Sequence, residues 1–99
     1  MDSGASVVDV RSEDEWNAVR IAGSILRPLG GIRESMRTES RDAPLVFVCR
    51  SGSRSGIAAS MLAASGFSDV ANLAGGMVAW EQAGQPVERG VPSAVLAAT

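Results

Sequence analysis

The chain has 99 residues, 45% of them hydrophobic and 20% charged, with a net charge of −2. This composition fits one compact globular domain and excludes both an intrinsically disordered chain and two independent domains. The absence of histidine and lysine and the presence of a single cysteine exclude Ser-His-Asp and Cys-His nucleophile systems, His-ligated metals, intramolecular disulfides, C-x-x-C redox pairs and Schiff-base chemistry.

The acidic balance leaves no clustered basic charge for nucleic acid, so none is expected as a partner. No run approaches the roughly 18 consecutive apolar residues of a membrane span, and the start Met1-Asp2-Ser3-Gly4 lacks a charged and then apolar leader. No membrane association is expected, and the cytosol is the expected location. All nine basic residues are Arg, planar and permanently charged, which points to small anions as ligands. No metal and no cofactor is expected.

Ser6-Val7-Val8-Asp9-Val10 is a β-branched run that reads as a strand. Ser12 followed three residues later by Glu15 is a capping-box pattern that predicts a helix over roughly 12–19. Ile25-Leu26, stopped by Pro28, reads as a short strand, and Ile32 to Thr38, after Gly30-Gly31, as a short amphipathic helix. Pro44 introduces Leu45-Val46-Phe47-Val48, an unbroken apolar run expected of an inner parallel strand covered on both faces. From Arg54 to Ala64 the residues Ile57, Ala58, Met61 and Leu62 recur at helical spacing, with Gly66 as the stop. Val70 to Leu73 reads as another strand, and Gly75-Gly76 leads into a helix over Met77 to Ala83 that ends at Gly84 and Pro86.

Alternating strands and helices predict an α/β fold in three layers, a central parallel sheet of four to five strands with helices on both faces. Residues 6–90 form the expected domain, and 91–99, Ala-rich and outside the alternation, an expected flexible tail. Trp16, Phe47 and Trp80 are expected in the core.

In such a sheet, ligands bind beyond the carboxyl ends of the strands. Cys49 stands at that end of the most apolar strand, and Cys49-Arg50-Ser51-Gly52-Ser53-Arg54-Ser55 joins it to the next helix. A glycine-containing loop there turns backbone N–H groups inward as an anion cradle, and the helix dipole adds to it. Arg50 and Arg54 are expected to lower the thiol pKa further. Free cysteine is also a common core residue, but the strand end, the loop and the two Arg residues favour a reactive thiolate. Asp9 and Arg11, at another strand end, read as a buried ion pair that shapes the floor of the loop in preference to direct catalysis.

At this point the chain resembles the rhodanese family. The resemblance rests on Val8-Asp9-Val10-Arg11 with Glu13-Asp14-Glu15-Trp16, on the loop from Cys49 to Ser55, and on Gly66-Phe67, Asn72-Leu73-Ala74-Gly75-Gly76 and Trp80. It covers roughly residues 6–90, and the loop is its specific part. Arg20 stands where the family commonly has a histidine of structural role. The family's first strand and helix have no counterpart before Val7; either four strands suffice, or a partner, a second copy or the C-terminal tail covers the exposed sheet edge.

The resemblance implies a thiosulfate sulfurtransferase in which Cys49 is nucleophile and sulfur carrier. Arg50, Ser51, Gly52, Ser53, Arg54 and Ser55 would bind the substrate, the two guanidinium groups attracting the anion and the backbone N–H groups and hydroxyls holding the persulfide. The implied partners are a small anionic sulfur donor and a thiol or cyanide acceptor. Cysteine phosphatases and arsenate reductases use Cys-x5-Arg loops sized for a tetrahedral oxyanion, whereas Cys49 and Arg54 are separated by four residues. A non-catalytic binding or redox-sensing module and, ranked below it, a cysteine-dependent phosphatase or arsenate reductase are the remaining alternatives.

Overall fold

The computed structural model describes residues 4–92. Strand β1 is Ser6–Asp9, helix α1 Glu13–Ala18, and strands β2 and β3 are Arg20–Ile21 and Ile25–Leu26. A 3₁₀ turn, Leu29–Gly31, leads into α2, Ile32–Ser35. Strand β4 is Leu45–Val48, α3 Ser53–Ala64, β5 Val70–Asn72, α4 Gly76–Gln82 and β6 Val87–Glu88. No helix among the described residues is long and apolar enough to cross a membrane.

The main sheet has the order β3-β1-β4-β5, and all its pairings are parallel. Alternation along the inner strands sends side chains to two cores, because successive residues of a strand point to opposite faces. Val8, Phe47 and Cys49 pack with Ile32, Met36, Ala58 and Leu62 beneath α2 and α3. Val7 and Val48 pack with Ile21 and Met77, with Trp80 and Val87 alongside. Helices therefore cover both faces of a four-stranded parallel sheet, the three-layer α/β arrangement expected from the alternation of strands and helices.

The local sequence explains most element ends. Ser12 caps α1 in a reciprocal capping box with Glu15. Gly66, at φ +100°, ends α3 by letting the Phe67 N–H return to the Leu62 carbonyl at 3.0 Å, the left-handed closure that glycine adopts without a Cβ penalty. Helix α2 is shorter than the expected 32–38, because after Ser35 the chain tightens into a turn in which the Arg37 N–H meets the Glu34 carbonyl.

One element has no sequence signature. Strands β2 and β6 form a separate antiparallel ribbon, Arg20 opposite Glu88 and Ile21 opposite Val87. Two-residue strands carry no readable periodicity; a side chain holds this pair. Arg20 is only 5% exposed and donates to the carbonyls of Trp16 and Gly90 at 3.2 and 2.7 Å. It also lies 3.4 Å from the Glu88 carboxylate, and its guanidinium stacks 4.3 Å from the Trp16 ring centre. The Gly90 N–H returns to the Asn17 carbonyl at 2.7 Å, so the chain is fastened as far as residue 90. Of the tail expected over 91–99, residues 93–99 lie outside the described residues.

Phe47 is core, as expected, but Trp16 and Trp80 are half-buried. Each indole N–H needs an acceptor near the surface, and they find one in the Ser24 hydroxyl at 3.0 Å and the Pro86 carbonyl at 2.9 Å.

Replacing Arg20 with Ala is expected to destabilise the domain by ~2–4 kcal/mol, because it removes a buried cation that satisfies two carbonyls and a carboxylate. Urea denaturation of the variant measures the loss, and accelerated amide exchange at residues 87–90 would locate it in the ribbon.

Candidate active site

The strand order reverses between β3 and β4, which lie on opposite sides of β1. The crevice beyond the carboxyl ends of β1 and β4 is thus the topological switch point where open α/β sheets bind ligands. Register puts Asp9 beside Val48, so the ends of both strands meet there. Cys49 follows at once and is 1% exposed.

Cys49 is held by polar groups from its own loop. The Gly52 N–H donates to Sγ at 3.1 Å, and the Ser55 hydroxyl lies 3.3 Å from Sγ. Gly52 has φ +111°, and this left-handed turn lets the loop double back over the sulfur. Burial pushes the thiol pKa up, but the Ser55 hydroxyl and the N–H groups of Ser55, Gly52 and Ser51 outweigh it, so that the pKa lies below the ordinary value. Hydrogen bonds to the charged form favour that form.

Of the two guanidinium groups expected to lower this pKa, Arg54 attracts the Cys49 thiolate electrostatically, but its hydrogen bonds go elsewhere. Arg54 forks onto Glu15, with Nη1 and Nη2 reaching the two carboxylate oxygens at 2.8 and 2.9 Å. Its charge is bound to a carboxylate of α1, so it braces the start of α3 more than it acts on the sulfur. Arg50 is exposed and makes no ion pair among the described residues. Ser51 and Ser53 are also exposed. Of the three loop hydroxyls, the Ser55 one meets the sulfur.

The backbone of the loop is fixed from outside. The Met77 N–H donates to the Cys49 carbonyl at 2.8 Å, and the Val78 N–H to that of Arg50 at 3.1 Å. Gly76 permits this approach: at φ +55°, a Cβ there would collide with the Cys49 carbonyl oxygen and lie 2.6 Å from that of Arg50. On the floor, Asp9 and Arg11 form a buried fork, with Nη2 to Oδ2 at 2.7 Å and Nε to Oδ1 at 2.9 Å. Arg11 also donates to the Val19 carbonyl at 2.6 Å, tying the end of β1 to the entry of the ribbon. An apolar groove lined by Ile21, Leu73, Ala79, Trp80, Ala83 and Pro86 borders the site but includes none of residues 49–55.

Two residues of the site went unassigned in the sequence. Glu15 was legible as a helix cap, but Arg54 lies 39 residues away and no local pattern joins them. Asn72 stands at the end of β5, its Oδ1 2.5 Å from the Ser55 hydroxyl and its Nδ2 donating to the Gly52 carbonyl at 3.0 Å.

The family model for the rhodanese-like domain matches residues 1–83. The chain belongs to the rhodanese-like domain family. It is 40% identical over 79 residues to the thiosulfate sulfurtransferase GlpE of Pseudomonas fluorescens, an alignment covering 80% of this chain and 72% of that protein. It is 38% identical over 90 residues to the probable adenylyltransferase/sulfurtransferase MoeZ of Mycobacterium tuberculosis, covering 87% of this chain but only 23% of the relative. Among solved structures, the rhodanese-related protein of Thermoplasma volcanium superposes with a TM-score of 0.81 at 31% identity, over 88% of this chain and 86% of that one. The rhodanese-like fold matches the one expected from the strand alternation, and the sulfurtransferase relatives match the class implied by the family resemblance.

The Glu15–Arg54 pair generates a pH prediction. The Arg54 hydrogen bond, opposed by burial and aided by the Ser12 donors, holds the Glu15 carboxyl at about 2. A depressed carboxyl contributes stability above its unfolded pKa of about 4.3, and the contribution disappears as pH falls toward the folded value. Both partners are about a third exposed, which limits the contribution to ~1 kcal/mol. Glu15→Gln keeps a capping-box acceptor and removes the charge. The stability gap between parent and variant is expected to close as pH falls from about 5 to 2, followed by urea unfolding. A gap independent of pH would show that the charge contributes nothing.

Proposed function

We propose that this domain is a sulfurtransferase that carries sulfane sulfur as a persulfide on Cys49. The reading rests on one observation above all: a thiol with depressed pKa, at the carboxyl end of an inner parallel strand, is held by the Gly52 N–H and the Ser55 hydroxyl. These donors stabilise the sulfur anion that attacks the donor and is released again when the persulfide gives up its outer sulfur. The relative named a thiosulfate sulfurtransferase supports a donor of that class.

In the first step the Cys49 thiolate attacks the outer sulfur of thiosulfate or a similar donor. The new S–S bond forms as the old one breaks, and sulfite departs with the bonding electron pair. In the second step cyanide or a thiolate attacks the outer persulfide sulfur and takes it away, returning Cys49 as thiolate. The exposed Arg50 meets the incoming anion at the mouth of the loop. Arg54, bound to Glu15, orients the loop's exit, and the remaining N–H groups of the loop receive the outer sulfur's charge. Residues 6–90 are the working unit, and a reducing compartment such as the cytosol would keep the thiol available.

The test is a thiosulfate and cyanide assay run beside aryl phosphate hydrolysis. Thiocyanate formation with negligible phosphatase turnover is expected, and Cys49→Ala should abolish transfer while melting near the parent temperature. Phosphatase turnover without sulfur transfer, or half the transfer rate surviving in Cys49→Ala, would overturn the proposal.

A further inference from the structure

The Ser55 hydroxyl has one hydrogen and two neighbours that compete for it. Its oxygen lies 3.3 Å from the Cys49 sulfur and 2.5 Å from Asn72 Oδ1. A hydroxyl donates once and accepts through its lone pairs, so both contacts cannot be donations by Ser55 at the same time. The amide of Asn72 is oriented independently, because Nδ2 donates to the Gly52 carbonyl at 3.0 Å, leaving Oδ1 as the face turned to Ser55. The amide packs closely against the start of α3, where a Cβ at Gly56 would stand 3.3 Å from Nδ2.

We propose that Asn72 is a positioning residue for the sulfur, holding the Ser55 hydrogen while Cys49 is protonated and yielding it to Cys49 when the sulfur becomes an anion. In the protonated state Cys49 S–H donates to Ser55 Oγ, and Ser55 O–H donates to Asn72 Oδ1. On deprotonation the sulfur's proton passes to bulk base, the Ser55 hydroxyl rotates, and its own hydrogen now points at the sulfide. One proton leaves the site, one hydrogen bond is exchanged for another, and no other covalent bond changes. The switch is inexpensive because Asn72 lies on the exposed edge strand, where the vacated Oδ1 finds water, while the sulfur at 1% exposure has no such substitute. Asn72 thereby stabilises the neutral thiol and sets how much of Cys49 stands ready as thiolate.

The other charged groups around the sulfur are already accounted for. Arg54 on α3 is bound to Glu15 of α1, Asp9 is paired with Arg11 at the end of β1, and Arg50 in the loop is exposed. Strand β5 carries no ionisable residue, and the only one on α4, Glu81, meets Arg89. Arg54 attracts the thiolate but is fixed by its fork onto Glu15, so hydroxyl donation is the contribution that changes with the state of the sulfur.

The inference rests on the reading of Cys49 as the reacting thiol, but its test needs no sulfur transfer. One cysteine and no tyrosine allow the thiolate to be titrated directly by its ultraviolet absorbance in the intact chain. Asn72→Ala should lower the Cys49 midpoint by about half to one pH unit, a three- to ten-fold rise in thiolate on the acid side. Ser55→Ala should raise it, and adding Asn72→Ala to Ser55→Ala should then shift it by less than a third of the single-variant effect. Melting curves of all three variants, together with Asn72→Ser as a smaller perturbation expected to shift in the same direction, check that each is folded. A rise in the midpoint on Asn72→Ala, or an equal shift with and without the Ser55 hydroxyl, would show that Asn72 acts through the Gly52 backbone and would overturn the proposal.

Discussion

The site depends on the contact between the start of α4 and the backbone that follows β4. Two consecutive carbonyls, those of Cys49 and Arg50, turn away from the sulfur to accept the N–H groups of Met77 and Val78. A carbonyl facing a sulfur anion would repel it, and a buried carbonyl without a partner would itself be costly. Directing both toward α4 frees the other side of the loop for N–H groups. Gly76 makes the approach sterically possible, so a residue without a side chain at the start of one helix determines the electrostatics at the start of another.

With the backbone held in this way, a buried thiol is stabilised as an anion by neutral dipoles. Fixed N–H groups and one hydroxyl need no reorganisation when charge appears, and they add no net charge that the low-dielectric interior must tolerate. The guanidinium groups serve around the edge. Arg54 and Glu15 join α3 to α1 across the loop's exit, Arg11 and Asp9 close its floor, and Arg20 fastens the ribbon that flanks α4. Each of these three cations has a carboxylate and, for Arg11 and Arg20, backbone carbonyls as partners, the condition under which such charges are tolerated.

Much of this was legible in the sequence. The apolar run Leu45–Val48 between Pro44 and Cys49, the Ser12 and Glu15 capping box, and the glycine stops at Gly66 and Gly84 each encode an element through local chemistry, and the strand end followed by a loop with Gly52 marked the site. The unread features are those made by distant residues. The ribbon joins Arg20 to Glu88 through two-residue strands that have no period. The Arg54 fork depends on Glu15, whose local role as a cap already explained it. Asn72 matched a segment of the family resemblance, but its part in the site appears only when Ser55 and Gly52 are brought against it by the turn of α3. Arg54 was legible as a cation of the loop, but its hold on Glu15 was not, because the direction of a side chain is decided by its tertiary partner.

The central claim is that the sulfur in transit is bonded to Cys49. It is tested most directly by intact mass measurement of the protein after exposure to thiosulfate and removal of excess donor. A gain of ~32 Da that maps to Cys49 and is lost on adding cyanide is the predicted result. An unchanged mass under conditions where thiocyanate is being formed would contradict it, because sulfur would then pass from donor to acceptor without residing on the protein.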